Sequence, residues 1–164
     1  KLFVKIFINA IAPLKEVIGE GAYGKIYIAK NIHDDTKYAA KVNNSEQRFD
    51  DQEQMQFLRE SIVLYKLEHP SIVKFYGINF KSFTDFNLLQ PTIIAEYLPH
   101  SSLTKRRTPF QIQNEQPQKD INLVGISDAI RYLHNQLYRI EQLKPENILI
   151  DYDYYPQVCN LLII

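Results

Sequence analysis

The stretch that decides the fold is Gly-Glu-Gly-Ala-Tyr-Gly at residues 19–24, followed by Lys-Ile-Tyr-Ile-Ala-Lys at residues 25–30. Three of the five glycines in the chain fall in the first run. Glycine leaves room for backbone N–H groups to approach a phosphate closely. In the second run Ile26 and Ile28 alternate with polar neighbours, and alternation at period two predicts a strand. The glycines are therefore predicted to lie in a hairpin between two strands.

A dinucleotide-binding loop is the first alternative interpretation of these glycines. Such a loop requires a helix directly after the last glycine, whereas residues 25–30 have a strand pattern. A phosphate loop of the Gly-Lys-Ser/Thr type is excluded because Ile26 follows Gly24 and Lys25. A tight hairpin that binds no ligand remains open at this point.

Residues 14–20 are predicted to form the first strand of the hairpin, and a third strand at residues 36–42 is predicted to follow a turn at residues 33–35. In the third strand Ala39 and Lys41 share one face, because side chains alternate along a strand. A small residue and a cation are thus predicted to point together toward whatever lies beneath the glycine loop.

With these motifs the chain resembles the amino-terminal lobe of a protein kinase. Residues 19–26 match the glycine-rich loop of that family, and Tyr38-Ala39-Ala40-Lys41 matches its Val-Ala-Ile-Lys strand. The resemblance covers residues 14–162 and implies an α+β fold, a five-stranded antiparallel sheet with one helix followed by the start of a helical carboxyl-terminal lobe. It also implies ATP as the bound cofactor. The residues that it assigns to ATP binding are Gly19, Glu20, Gly21, Ala22, Gly24, Ile26, Ala39, Lys41, Glu60, Ala95, Glu96, Leu98 and Leu149.

The family requires a helix whose glutamate pairs with the strand lysine. Residues 53–67 predict an amphipathic helix on which Glu60 shares a face with Phe57 and Leu64. Glu60 follows Lys41 at a spacing similar to that of the family. We therefore expect Glu60 to pair with Lys41 rather than to be a solvated charge.

The remaining elements follow in the order of the family. Residues 72–80 and 92–98 predict the last two strands, residues 99–119 a loop, and a helix follows at residues 119–137. By the resemblance, Ala95 lies at the back of the adenine pocket, and the backbone of Glu96 and Leu98 offers hydrogen bonds to adenine.

The catalytic motif of the family is altered. Residues 143–147, Leu-Lys-Pro-Glu-Asn, match the family's catalytic loop, yet its His-Arg-Asp is replaced by Ile140-Glu141-Gln142. The missing aspartate accepts or orients the proton of the substrate hydroxyl, and Gln142 is not ionisable. The resemblance implies that Lys144 contacts the transferring phosphate and that Asn147 contacts the second metal ion.

The metal motif is altered as well. The family's Asp-Phe-Gly is replaced by Asn-Leu-Leu at residues 160–162. Asn160 offers a carbonyl oxygen without a negative charge, and Mg²⁺ is usually held through carboxylates. Binding of Mg²⁺ through Asn147 and Asn160 is therefore doubtful.

Three functions are compatible with these motifs. The favoured one is a kinase-fold domain that binds ATP, is catalytically impaired and acts as a signalling or scaffolding module, that is, a pseudokinase. The first alternative is an active protein Ser/Thr kinase with an atypical base, and the second is a non-functional remnant of a kinase.

The composition of the chain limits which partners and which cellular location we expect. The 19 basic and 19 acidic residues give a formal net charge of zero, so we expect neither nucleic acid nor a membrane surface as a partner. A single cysteine and the lack of an apolar spanning run favour an intracellular, cytoplasmic location.

The expected organisation is an extension at 1–13, an amino-terminal lobe at 14–98 and a partial carboxyl-terminal lobe at 99–164. Both ends are interpreted as cut points, because the chain begins with lysine and ends on four apolar residues. A protein partner is expected to cover the exposed helix of the partial lobe.

Overall fold

The computed structural model describes residues 11–21, 24–43, 51–81, 89–100, 102–103, 115–138, 140 and 143–159. The chain divides into two compact units. The first combines Lys1–Lys66 with Lys74–Tyr97, and the second combines Leu67–Val73 with Leu98–Ile164.

The first unit is built on one antiparallel sheet with the spatial order β1-β2-β3-β5-β4. Its strands are β1 (Ile11–Gly21), β2 (Gly24–Asn31), β3 (Lys37–Val42), β4 (Phe75–Lys81) and β5 (Leu89–Glu96). The helix α1 (Asp51–Lys66) connects β3 to β4 along the chain. The predicted sheet of five antiparallel strands with one helix is therefore confirmed.

The two faces of β3 differ in burial as its alternation predicts. Tyr38, Ala40 and Val42 are buried, whereas Ala39 and Lys41 are partly exposed. The buried side belongs to an apolar cluster formed by Ile11, Ala29, Tyr38, Ala40 and Ile94, against which Tyr76 packs. Tyr38 and Tyr76 meet edge to face with ring centroids 5.1 Å apart.

The helix α1 presents an apolar stripe that includes the buried Phe57 and Leu64. Ser61 lies between them and donates its hydroxyl to the carbonyl of Phe57 at 2.8 Å, which satisfies a buried polar group. Ile62, also an apolar residue of this helix, is exposed. The helix spans two residues more at its start and one fewer at its end than predicted.

Strand boundaries differ most from the predictions in β1, β4 and β5. β1 begins at Ile11, three residues early, because Ile11 pairs with Asn31 of β2. β5 begins at Leu89 and ends at Glu96. The predicted strand at 72–80 is wrong at its start, since β4 begins at Phe75 and Ile72 instead forms a parallel bridge with Val158.

The second unit contains the long helix α2 (Glu115–Asn135) and a small hairpin, β6 (Ile148–Ile150) with β7 (Pro156–Val158). Gly125 of α2 lies close to this hairpin, where an added Cβ would be 2.5 Å from Cγ of Pro156. The prediction of a loop up to residue 119 is wrong. Proline is tolerated in the first turn of a helix, so Pro117 does not delay its start. In the described residues no helix combines the length and apolarity needed to cross a membrane.

The segment 67–73 packs on α2 within this second unit. The hydroxyl of Tyr132 accepts the backbone N–H of Glu68 at 3.0 Å, and the ring of His69 lies 4.9 Å from that of Tyr132. Val73 donates its N–H to the carbonyl of Val158, and Val158 donates to the carbonyl of Ser71. These contacts attach the segment to both α2 and β7.

The carboxyl end of α2 is closed by a left-handed residue. Tyr138 N–H donates to the carbonyl of Leu133 at 2.9 Å, a bond typical of a Schellman motif. Leu137 has φ 63° and is 90% exposed. The helix therefore ends at Asn135 rather than at the predicted residue 137.

Replacing Leu137 by glycine is expected to stabilise the protein. A left-handed conformation costs a non-glycine residue about 1–2 kcal/mol, and the greater freedom of glycine in the unfolded chain offsets part of the relief. Urea unfolding should show a net gain of roughly 0.5–1 kcal/mol. Leu137→Ala, which keeps a Cβ, is the matched control and should give no such gain. Equal stability of the two variants would contradict this explanation.

Candidate functional site

The glycine hairpin joins β1 to β2, and Gly21 pairs with Gly24 across it. Gly24 has φ 149°, and a Cβ there would lie 2.1 Å from the carbonyl oxygen of Val42. Glycine is therefore required at this position by the backbone of β3, independently of any ligand. Gly19 is less constrained, since its added Cβ would meet the flexible end of Ile26 at 3.3 Å. Ala22 lies outside the described residues.

The predicted site residue Glu20 lies next to this hairpin. It pairs in register with Lys25, and their charged groups are 3.7 Å apart. Both side chains are largely solvated, so the pair contributes little to stability. Its effect is to link the two strands beside the glycines.

One face of the sheet collects the predicted adenine-binding residues of the first unit. Ile26 and Ile93 are the register partners of Lys41, and Ala95 is the register partner of Ala39. Register partners share a face of the sheet. Ile26, Ala39 and Ala95 are partly exposed there. The small alanines leave a shallow apolar surface beside a lysine.

Lys41 and Glu60 form an ion pair between β3 and α1. Lys41 Nζ donates to Glu60 Oε1 at 2.7 Å. The side chains are 24% and 21% exposed, so the pair is shielded from water on most sides. The predicted pairing is thus present, and it fixes an ammonium group on the same sheet face as Ala39.

The end of β5 provides backbone groups at the edge of this surface. Glu96 N–H donates to the carbonyl of Lys74 at 2.9 Å, which fixes the strand end. Glu96 is the register partner of Tyr38, so its side chain lies on the face of the sheet opposite Ala39 and Lys41. There burial, together with the negative charge of Glu96, raises the pKa of Tyr76. Any contact of Glu96 with a ligand on the Lys41 face would therefore use its backbone.

The remaining predicted site residues belong to the second unit. Leu98 and Asn147 are buried, Leu149 is partly buried and Lys144 is exposed. Leu149 lies in β6, opposite Gln157 and bridged to Ser102. Gln142 and Asn160 lie outside the described residues.

A short helical turn positions Asn147. Residues Pro145–Asn147 form one turn of 3-10 helix, and Asn147 N–H donates to the carbonyl of Lys144 at 2.8 Å. Cys159 N–H donates to the carbonyl of Asn147 at 2.8 Å. The backbone of Asn147 is therefore connected both to Lys144 and to the chain that follows β7.

Sequence reasoning missed the role of Asp151, which organises the turn between β6 and β7. Its Oδ1 accepts the N–H groups of Asp153 and Tyr155, each at 2.9 Å. The signal is an aspartate just after a strand, since its side chain readily caps the N–H two residues later.

The sequence profile of the protein kinase domain matches residues 13–161. The chain belongs to the protein kinase family. This match accounts for the glycine hairpin, the five-stranded sheet and the ion pair as parts of one kinase domain.

Curated protein kinases are similar to this domain at modest identity. It is 34% identical over 143 residues to serine/threonine-protein kinase Sgk2 of Rattus norvegicus, an alignment that covers 83% of this chain and 35% of that protein. It is 30% identical over 154 residues to serine/threonine-protein kinase CTR1 of Arabidopsis thaliana, an alignment that covers 90% of this chain and 17% of that protein. A probable myosin light chain kinase of Dictyostelium discoideum is 29% identical over 142 residues, which cover 86% of this chain and 28% of that protein. The kinase domain described here thus spans about a third or less of the length of these relatives.

Proposed function

We propose that this protein kinase domain binds ATP and is impaired in phosphoryl transfer. The observation that carries the first part is the ion pair of Lys41 and Glu60 at 2.7 Å. A shielded lysine held by a carboxylate keeps its position and can contact a phosphate oxygen with its remaining N–H donors. In the glycine hairpin of the same sheet, the lack of side chains would let backbone N–H groups approach a phosphate.

The apolar surface on the sheet suits the base of a nucleotide. Ile26, Ala39 and Ala95 would contact the adenine ring. The backbone of Glu96 and Leu98 would bind the polar edge of the ring.

The second part of the proposal rests on the two altered motifs. Gln142 cannot take a proton from a substrate hydroxyl, and loss of a general base lowers rates by about 10²–10⁴. Asn160 provides a neutral amide where the family has an aspartate, and Mg²⁺ is best held by carboxylates. We propose that ATP binds without a strict requirement for Mg²⁺ and that Lys144 retains its contact with the phosphates.

A domain with these properties would act in the cytoplasm as a signalling or scaffolding module. The exposed apolar side chains of α2 support this role, because exposed apolar patches favour contact with a protein. They are Ile121, Leu123 and Val124. A partner protein would cover them in such an assembly.

The nucleotide part is tested by thermal unfolding with ATP, with and without Mg²⁺. At an ATP concentration of about 100 times Kd, binding adds about 2.7 kcal/mol to the free energy of unfolding. The melting temperature of the wild type should therefore rise by several degrees, both with and without Mg²⁺. Lys41→Met should sharply reduce the shift. Lys66→Met, which removes an exposed lysine at the end of α1, is the matched control and should keep it. No shift in the wild type would contradict ATP binding and favour a non-functional remnant.

Protein Ser/Thr kinase activity is the second candidate function. The ion pair of Lys41, the retained Lys144 and Asn147, and the similarity to proteins named serine/threonine-protein kinases favour it. Such an enzyme would transfer the γ-phosphate of ATP to a Ser or Thr hydroxyl without an aspartate at position 142.

Phosphate transfer separates the two candidates. With labelled ATP and a generic Ser/Thr acceptor, we expect no incorporation above that of Lys41→Met, because both the base and the metal carboxylate are replaced. Incorporation that vanishes in Lys41→Met and persists in Gln142→Ala would overturn catalytic impairment and establish an active enzyme with another base.

A further inference from the structure

The turn that joins β6 to β7 exposes three aromatic side chains. Residues 151–155 read Asp-Tyr-Asp-Tyr-Tyr. Tyr152 is 63%, Tyr154 43% and Tyr155 56% exposed. We call residues 151–155 together with His100 the aromatic turn. It lies entirely within the second unit.

The backbone of the aromatic turn is held by hydrogen bonds. Asp151 accepts two N–H groups of the turn through Oδ1 and the amide of Gln157 through Oδ2 at 3.2 Å. Asp151 N–H donates to the carbonyl of Tyr155, and the carbonyl of Tyr154 accepts the amide of Gln118 at 2.7 Å. The rings are therefore presented by a fixed backbone rather than by a loose loop.

His100 brings the rings together on one side. Its ring is stacked on that of Tyr154 with centroids 4.6 Å apart and planes at 13°. The ring of Tyr152 stands edge-on at 6.5 Å and 68°. Tyr154 also adopts φ 65°, a conformation that costs energy in a residue with a Cβ. A strained, fixed backbone that exposes stacked rings is the arrangement expected of a preformed binding surface.

The negative charge of the aromatic turn favours binding of a cationic ligand. It carries two aspartates, and Asp151 is occupied by the three donors described above. In the described part of the chain the carboxylate of Asp153 has no hydrogen-bond or ion-pair partner. Aromatic faces and a free carboxylate both attract a guanidinium group, which is planar, stacks on rings and donates to carboxylates. Phosphate-bearing ligands are repelled by the same two aspartates.

A buried acceptor in the same network also lacks a partner. Gln157 is 7% exposed, and its Oε1 makes no hydrogen bond within the described residues. A buried unpaired acceptor is costly, but this oxygen has no accessible surface, so it is not a contact for a ligand on the exposed rings.

We propose that the aromatic turn binds an arginine side chain presented by a peptide segment of a partner protein. The guanidinium stacks on the tyrosine rings beside His100 and pairs with Asp153. This inference does not rest on ATP binding, because no residue of the aromatic turn belongs to the proposed nucleotide site.

The experiment uses the full-length protein and a fluorescein-labelled Gly-Ser peptide that carries a pair of arginines, followed by fluorescence anisotropy. The same peptide with citrulline in place of arginine removes the charge and keeps the shape. The arginine peptide should bind at least about tenfold more tightly than the citrulline peptide, and a lysine peptide should bind more weakly than the arginine one.

Variants locate the binding surface. Asp153→Asn and Tyr152→Ala should each weaken binding of the arginine peptide about fivefold or more, whereas Tyr152→Phe keeps the ring and should bind as the wild type does. Ile32→Ala, in the exposed turn between β2 and β3, is the matched control and should change nothing. Equal binding of the arginine and citrulline peptides, or binding unchanged in both Asp153→Asn and Tyr152→Ala, would overturn the proposal. The ATP-dependent melting shift should persist in Tyr152→Ala, which separates this test from that of the nucleotide site.

Discussion

The ion pair between Lys41 and Glu60 is the interaction on which the proposed nucleotide site depends. It connects the middle strand of the sheet to α1, the element that follows it along the chain, at 2.7 Å and with limited exposure to water. An ammonium group left unpaired on that surface would lose its fixed position and part of its desolvation would be uncompensated. The pair therefore determines where a positive charge meets a bound phosphate.

The second unit depends on close packing of α2, the segment 67–73 and the β6–β7 hairpin. Gly125 and Tyr132 of α2 contact these two partners, and the bridge from Ile72 to Val158 joins them to each other. This framework positions Asn147 and Leu149, which follow one another closely along the chain. The same hairpin carries the aromatic turn, and with it the proposed peptide contact, at its tip.

Local patterns predicted the fold well wherever the decisive interaction was itself local. Alternation in β3 and the spacing of Glu60 on α1 predicted both the faces of the strand and the ion pair. The start of β4 could not be predicted, because Ile72 is apolar like a strand residue and its partner Val158 is remote in sequence. The left-handed conformation of Leu137 could not be predicted either, because the helix propensity of leucine favours a continued helix. The roles of Gln142 and Asn160 remain predictions from the sequence, as both lie outside the described residues.

The most direct measurement is the Kd of ATP for the wild type, Lys41→Met, Glu60→Gln and the double variant. If Glu60 acts by positioning Lys41, Glu60→Gln should weaken ATP binding about tenfold, or about 1.4 kcal/mol, and should add no further loss once Lys41 is replaced. Independent, additive losses, or an unchanged Kd in Glu60→Gln, would contradict the central role of the ion pair.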